Sequence, residues 1–373
     1  MSKTFSFAPM NINLAEGAQS IVIDGFEINQ NSNTYFIADI AANHDGNLNK
    51  AIDLIYSAKE AGAHAAKFQH FNAKTIVSNK GFKDLAGKLA HQSKWKKTVY
   101  EVYEDASIST EWTKILSDTC KKAGISFFSS PYSFELVDHI DEFVPAYKIG
   151  SGDITWTQLI AYIAKKNKPV IMATGASNMD EVEIAVEVAT KHNKNVALLQ
   201  CNTNYTGAEE NMNYINLNVL RTYRKIFPGL ILGLSDHTKT HTSVLGAVAL
   251  GAKIIEKHFT LDNSLEGPDH SFSLTPTKWI EMVKLVNELE SNMGSFEKKV
   301  ENNELSSKIV QRRSIRSNKP LKKGQVITLE DLDYLRPCPE GSLSPSEVKK
   351  VIGKSLVTDI EEGESIHECN LEK

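Results

Sequence analysis

A chain of 373 residues with 41% apolar and 24% charged side chains is made like a globular protein, with room for one large domain and a small one. A net charge of −4 gives no electrostatic case for nucleic acid; no apolar run reaches the length of a membrane span, and the start, MSKTFSFAPMNINL, has no signal-peptide core. Cys120, Cys201, Cys338 and Cys369 are scattered without a C-x-x-C pair, which argues against a zinc knot and fits thiols kept reduced in a cytoplasm.

Residues 1–33 are short polar and apolar alternations, and IVIDGFEI around Asp24-Gly25 is expected to form a β-hairpin cap. Within 34–293, apolar strand candidates fall at 35–40, 65–69, 126–129, 146–149, 170–173, 196–200, 230–234 and 254–258. Helix-period segments at 48–61, 111–123, 134–143, 159–166, 180–192, 217–227 and 242–250 lie between most of them, and 276–293 follows the last. Eight such repeats match a (β/α)8 TIM barrel, whose usual length is about 250 residues. A doubly wound open sheet is the alternative, but it usually has fewer strands, and no Gly-x-Gly-x-x-Gly turn follows the first strand.

Two connections are longer than the repeat needs. The stretch 70–107, aromatic and basic in its middle, has the profile of a loop over a binding face, and NTNYTGAEENMNYIN follows the sixth strand. Residues 294–313 read as a charged linker. The composition then changes, and 314–373 reads as a second domain with short β-prone pieces, Lys-Gly and Glu-Gly turns and two short helices. About 60 residues is marginal for a domain standing alone, so this one is expected to dock on something.

Barrel active sites lie at the carboxyl ends of the strands, so the polar strand endings form one set. Strand one ends in Asp39, followed by Asn43-His44-Asp45; strand two ends Lys67-Phe68-Gln69. Ser129-Ser130 and Lys148-Ile149-Gly150-Ser151-Gly152-Asp153 end strands three and four. Ser235, Asp236, His237, Glu256 and His258 come from the seventh and eighth strands. A lysine inside an apolar strand must meet an anion, because burying an unpaired ammonium is prohibitive. Lys67 and Lys148 therefore either pair with Asp39, Asp153 or Glu256 or, with the Ser130, Ser151 and Ser235 hydroxyls, bind a substrate carrying phosphate and carboxylate. His237 and His258 on adjacent strands admit three readings: hydrogen-bonded structural residues, a general-base pair, or ligands of a divalent metal beside Asp236 and Glu256. Asp45 reads as the cap of the first helix. Tyr205, Trp156 and Trp95 read as packing or pocket walls.

The segments FIADIAANHDGNLNKA, AAKFQHF, FFSSPYS, AYKIGSGD, ATGAS, LGLSDHT, IIEKHFTL and GPDHSFSLTP, in this order, resemble the sialic acid (N-acetylneuraminate) synthase family. Residues 314–373, with LKKGQVITLEDLDYLRP, are similar to the antifreeze-like (SAF) domain that ends those synthases. The resemblance implies condensation of phosphoenolpyruvate with the open-chain aldehyde of an N-acylated hexosamine such as N-acetylmannosamine, with release of phosphate. It implies that His237 and His258 bind the metal, usually Mn2+, with Mg2+ or Co2+ as alternatives. Lys67, Ser130, Lys148, Ser151 and Ser235 would hold phosphoenolpyruvate. Gln69, Asp153, Tyr205 and Asp269 would face the sugar with Asp39, which is the candidate for positioning the attacking water or the aldehyde. Arg336 would reach the partner's sugar site in a domain-swapped homodimer.

Asp39 and Asp153 stand where well-known members of that family have glutamates, Ala173 replaces a serine, and CNTNYT replaces a Cys-Thr-Asn-x-Tyr-Pro pattern. These changes fall on the sugar side, leaving open a legionaminic or pseudaminic acid synthase, another aldose acceptor, or a metal-dependent aldolase on the same barrel. A catalytically dead sugar-binding protein is the reading from outside the enzymes.

Overall fold

The short apolar runs between residues 35 and 258 are buried on both faces, as strands of a parallel sheet must be when helices cover it. The computed structural model describes residues 20–85, 95 and 97–372; the rest of the expected hairpin cap, 1–19, and of the long connection, 86–94 and 96, lies outside the described residues, as does Lys373. An amino-terminal hairpin pairs β1 (Ile21–Ile23) with β2 (Phe26–Ile28). Eight strands follow: β3 (Tyr35–Asp39), β4 (Ala65–His70), β5 (Ser126–Pro131), β6 (Tyr147–Ile149), β7 (Val170–Ala173), β8 (Val196–Cys201), β9 (Ile231–Asp236) and β10 (Ile254–His258). Each pairs in parallel with the next and β10 closes on β3, so the sheet is a closed barrel and not an open one. The principal connecting helices are Leu48–Glu60, Thr110–Ala123, Phe134–Ile140, Thr157–Ala164, Met179–Thr190, Val219–Ile226 and Thr242–Ala249, with Pro276–Met293 after β10.

Strand side chains alternate faces. Tyr35, Ile37, Phe128, Ile171, Leu199, Ile231 and Ile254 accordingly fill the lumen, whereas Phe36, Ala38, Phe68, Leu198, Leu232 and Ile255 pack on the helices. The lumen is a packed core: a Cβ on Gly233 would lie 2.3 Å from both the Ile254 carbonyl oxygen and a Leu199 methyl. The hairpin turns at Asp24 (φ 47°) and Gly25 (φ 81°), the positive-φ pair that a two-residue turn requires. Its Ile21, Ile23 and Ile28 are buried against Tyr35, Ala65 and Ile254, at the amino-terminal ends of their strands. The hairpin is thus a plug in the barrel floor, each isoleucine contributing about 1.5–3 kcal/mol by burial.

The 70–107 connection, read as loop, contains helices Ala73–Ile76, Asn79–Leu85 and Val99–Ala106. They are started by caps, Asn72 for the first and a Thr98–Glu101 capping box for the last, and are too short to show a helical repeat in sequence. The connection after β8 carries a single 3-10 segment, Glu209–Tyr214.

The chain divides into two compact units, Met1–Gly294 and Ser295–Lys373. The second pairs β11 (Ser314–Ser317) with β12 (Leu332–Leu335) in antiparallel fashion around a core that includes Ile315, Leu321, Ile327, Val351, Leu356 and Ile366. Helix Leu305–Gln311 precedes β11, inside the stretch read as linker.

Candidate active site

At the carboxyl ends of the strands the inward-facing positions change from apolar to polar. Asp39 (β3), Lys67 and Gln69 (β4), Ser130 (β5), Lys148 (β6), Ser235 (β9), and Glu256 and His258 (β10) line one cavity of about 500 Å3. Ser151 and Asp153, from the 3-10 turn after β6, line it too, as do Tyr205, His237 and Asp269 from the connections after β8, β9 and β10. Arg336, the remaining residue of the expected set, belongs to the second unit, where it is exposed just past β12.

The two lysines have different environments. The Lys67 ammonium lies 2.7 Å from an Asp39 carboxylate oxygen, both side chains 3% exposed. Burial pulls its pKa down, but Asp39 and Glu256 outweigh that and hold it above the ordinary lysine value. Lys148 lies 3.5 Å from Glu256 and donates to the Ile149 carbonyl at 3.0 Å. Burial, opposed by Glu256 and reinforced by the neighbouring Lys67 charge, holds it below the ordinary value. Ser235 donates to Glu256 at 3.0 Å, and the Ser151 hydroxyl accepts the Gly175 N–H at 2.9 Å. The Ser130 hydroxyl and the second Glu256 oxygen are buried with no partner. Buried polar atoms are ordinarily satisfied, so two such vacancies beside two ammoniums mark a place for a polar ligand.

Facing them, the His237 and His258 rings are 5.2 Å apart between centroids. His237 Nδ1 donates to the Asn202 carbonyl at 2.8 Å, which fixes the tautomer of the neutral ring, with the lone pair on Nε2. His258 Nδ1 is buried without a hydrogen-bond partner; burial and the adjacent His237 push the ring's pKa well below its ordinary value, so it is neutral. Burial pulls the His237 pKa down, but Cys201 and the Asn202 carbonyl outweigh it and hold the ring above its ordinary value, so a divalent cation would take Nε2 by displacing a proton, beside a His258 that is already neutral. Among the described residues no group of three or more His, Cys, Asp or Glu donors gathers for a metal, so the two imidazoles are the residues that would hold one. Burial raises Asp153 to about 6, and raises Asp269 to about 6 against an opposing hydrogen bond from the Ala42 N–H. Tyr132 and Tyr205, their phenols pushed well above 10 by burial, stay protonated as potential donors.

The structure corrects two assignments. Asp236 does not stand beside the histidines as a cavity group: it faces outward between Ser235 and His237, paired with Lys257 at 2.6 Å. Asp45 does not cap the first helix; Asn47 does, and Asp45 instead binds His270 at 3.0 Å. Of the three aromatics read as packing or pocket walls, Trp95 and Tyr205 are cavity walls and Trp156 packs against Phe134. Tyr132, Phe71, Ile76, Val102 and Tyr103, which the reading of strand endings missed, also line the cavity. All but Tyr132 come from the long connection, and Tyr132 follows the last residue of β5, where one more step along SSPYS reaches it.

A closed parallel barrel with a cavity of lysines, serines and paired imidazoles at its strand ends is a (β/α)8 barrel protein with a polar pocket where the sites of that fold lie. The chain belongs to the NeuB family, whose model matches residues 54–298, and a SAF domain model matches residues 312–372. It is 35% identical to the N,N'-diacetyllegionaminic acid synthase of Legionella pneumophila, over 92% of this chain and 96% of that one. It is 33% identical to a pseudaminic acid synthase of Campylobacter jejuni, over 92% and 98%. A crystal structure of N-acetylneuraminic acid synthetase from Leptospira borgpetersenii superposes with a TM-score of 0.68 at 28% identity, covering 78% of this chain and 95% of that one.

Proposed function

We propose that this chain is a nonulosonic acid synthase that joins phosphoenolpyruvate to the open-chain aldehyde of an N-acylated hexosamine and releases phosphate. The names of its relatives support the reaction class. The observation that carries the reading is the pair of buried ammoniums, Lys67 and Lys148, set among the Ser130, Ser151 and Ser235 hydroxyls. A three-carbon donor bearing phosphate and carboxylate offers these ammoniums and hydroxyls acceptors beyond the Asp39 and Glu256 carboxylates that Lys67 and Lys148 already face.

Held there, the donor is oriented by Lys67, Lys148 and the three hydroxyls, with its enol carbon toward the acceptor side of the cavity. Asp153, Asp269, Gln69 and Tyr205 bind the hexosamine; carboxyls raised to about 6 alternate between accepting and donating near neutral pH. His237 and His258 would hold a divalent ion, Mn2+ first and Mg2+ or Co2+ after it, which would supply Lewis acidity for the aldehyde. The enol carbon forms a bond to the aldehyde carbon, water held by Asp39 adds to the donor's second carbon, and the phosphate leaves to give the 2-keto acid. The cavity walls Phe71, Ile76 and Val102 exclude bulk water from the reacting carbons.

The test is phosphate release with phosphoenolpyruvate and a panel of N-acylated hexosamines, before and after chelation and resupply of each metal. Turnover that stops on chelation and returns with Mn2+ supports the reading. Silence with every sugar, or product formed without phosphoenolpyruvate, defeats it.

A further inference from the structure

We propose that the buried Asp236–Lys257 pair is a positioning device that holds His237 at its working distance from His258, and so sets the affinity of the two imidazoles for a divalent cation. This rests on the metal reading above.

Asp236 is the last residue of β9, and its register partner on β10 is Lys257. His237 therefore lies one step past the ladder between these strands, whereas His258 is still paired, with Asp39 on β3. Something other than the sheet must hold the His237 backbone. Lys257, immediately before His258, does so from behind the barrel wall: its ammonium lies 2.6 Å from the Asp236 carboxylate and donates to the Thr238 carbonyl at 2.6 Å. The same carboxylate accepts the Thr238 N–H at 3.0 Å and the Ser243 hydroxyl at 2.5 Å. The residues on both sides of His237 are thereby tied to the residue next to His258.

Both charges are fully buried, Asp236 at 0% and Lys257 at 1% side-chain exposure. A buried ion pair is often no more stabilising than apolar side chains of the same volume, so fold stability is a weak account of this one. Groups behind a ligand that fix its orientation typically change metal affinity about 10- to 100-fold when removed.

The experiment uses the metal-stripped full chain titrated with Mn2+, the free ion followed by its paramagnetic resonance signal. The double variant Asp236→Asn/Lys257→Met removes both charges and leaves neither unpaired. It should melt near the parent temperature and keep its metal-free affinity for phosphoenolpyruvate, while its Mn2+ dissociation constant rises about 10- to 100-fold. Ser243→Ala, which removes one hydroxyl from the carboxylate and spares the pair, should fold and show a smaller rise, of about 2- to 10-fold, the worth of one hydrogen bond. Parent-like Mn2+ affinity in Ser243→Ala together with a double variant that is either parent-like or unfolded overturns the positioning role. So does a double variant that loses phosphoenolpyruvate and Mn2+ in step. A parent chain that takes up no Mn2+ removes the metal reading, and this role with it.

Discussion

Lys67 and Asp39 form a direct ion pair in the cavity, with almost no water on either side chain. Asp39 is the anion that Lys67 holds in the protein by itself. Converting Asp39→Asn leaves the ammonium buried and unpaired, which costs about 3–5 kcal/mol. Phosphoenolpyruvate then restores the missing charge, so its addition should raise the melting temperature of the variant by more than it raises that of the wild type. Equal shifts would mean that the donor does not sit on Lys67.

Asp153 should leave a pH signature. Burial raises its folded-state pKa to about 6, above the unfolded value of about 3.9. The stability it contributes by keeping its proton is fully present below the unfolded value and is lost as pH rises through the folded one. Asp153→Asn cannot ionise, so urea midpoints should show the variant gaining on the wild type between pH 4 and about 6 and holding that gain above it. A difference that stays flat across this window would mean Asp153 is solvated.

The floor plug should matter for stability alone. Ile23→Ala opens a cavity beneath the lumen core at a cost of about 2–5 kcal/mol. Because that end of the barrel is opposite the strand carboxyl ends, KM for both substrates should be unchanged at a temperature where the variant is folded. A raised KM in steady-state assays would place the hairpin in communication with the cavity.

The swapped homodimer proposed for Arg336 can be tested by mixing two crippled chains. Arg336→Ala and Lys148→Ala should each be nearly inactive. Unfolded and refolded together in equal amounts, they should recover about a quarter of wild-type activity, because random pairing gives half the dimers one intact site. No recovery, with native mass spectrometry showing mixed dimers, would mean that Arg336 serves its own chain or none.

The barrel was legible because each strand is a short apolar run ending in polar residues, with helical spacing between most of them. Lys67 and Lys148 stood out for a related reason: a cation inside such a run has few physical explanations. Asp236 shows where the reading went astray. Ser235, Asp236 and His237 are consecutive, and a strand turns consecutive side chains to opposite faces, so His237 and Asp236 could not both face inward. Applying that parity sends Asp236 outward and keeps Glu256, which shares its face with His258. The aromatic and apolar walls from the long connection were beyond such reasoning, because Ile76 and Tyr103 lie on short capped helices that leave no repeat in the sequence, and Phe71 just ahead of the first.

The isoleucine plug turns the barrel into a cul-de-sac. Any molecule that reaches the ammoniums comes and goes at the strand carboxyl ends, because the packed lumen and the plug beneath it close the other way.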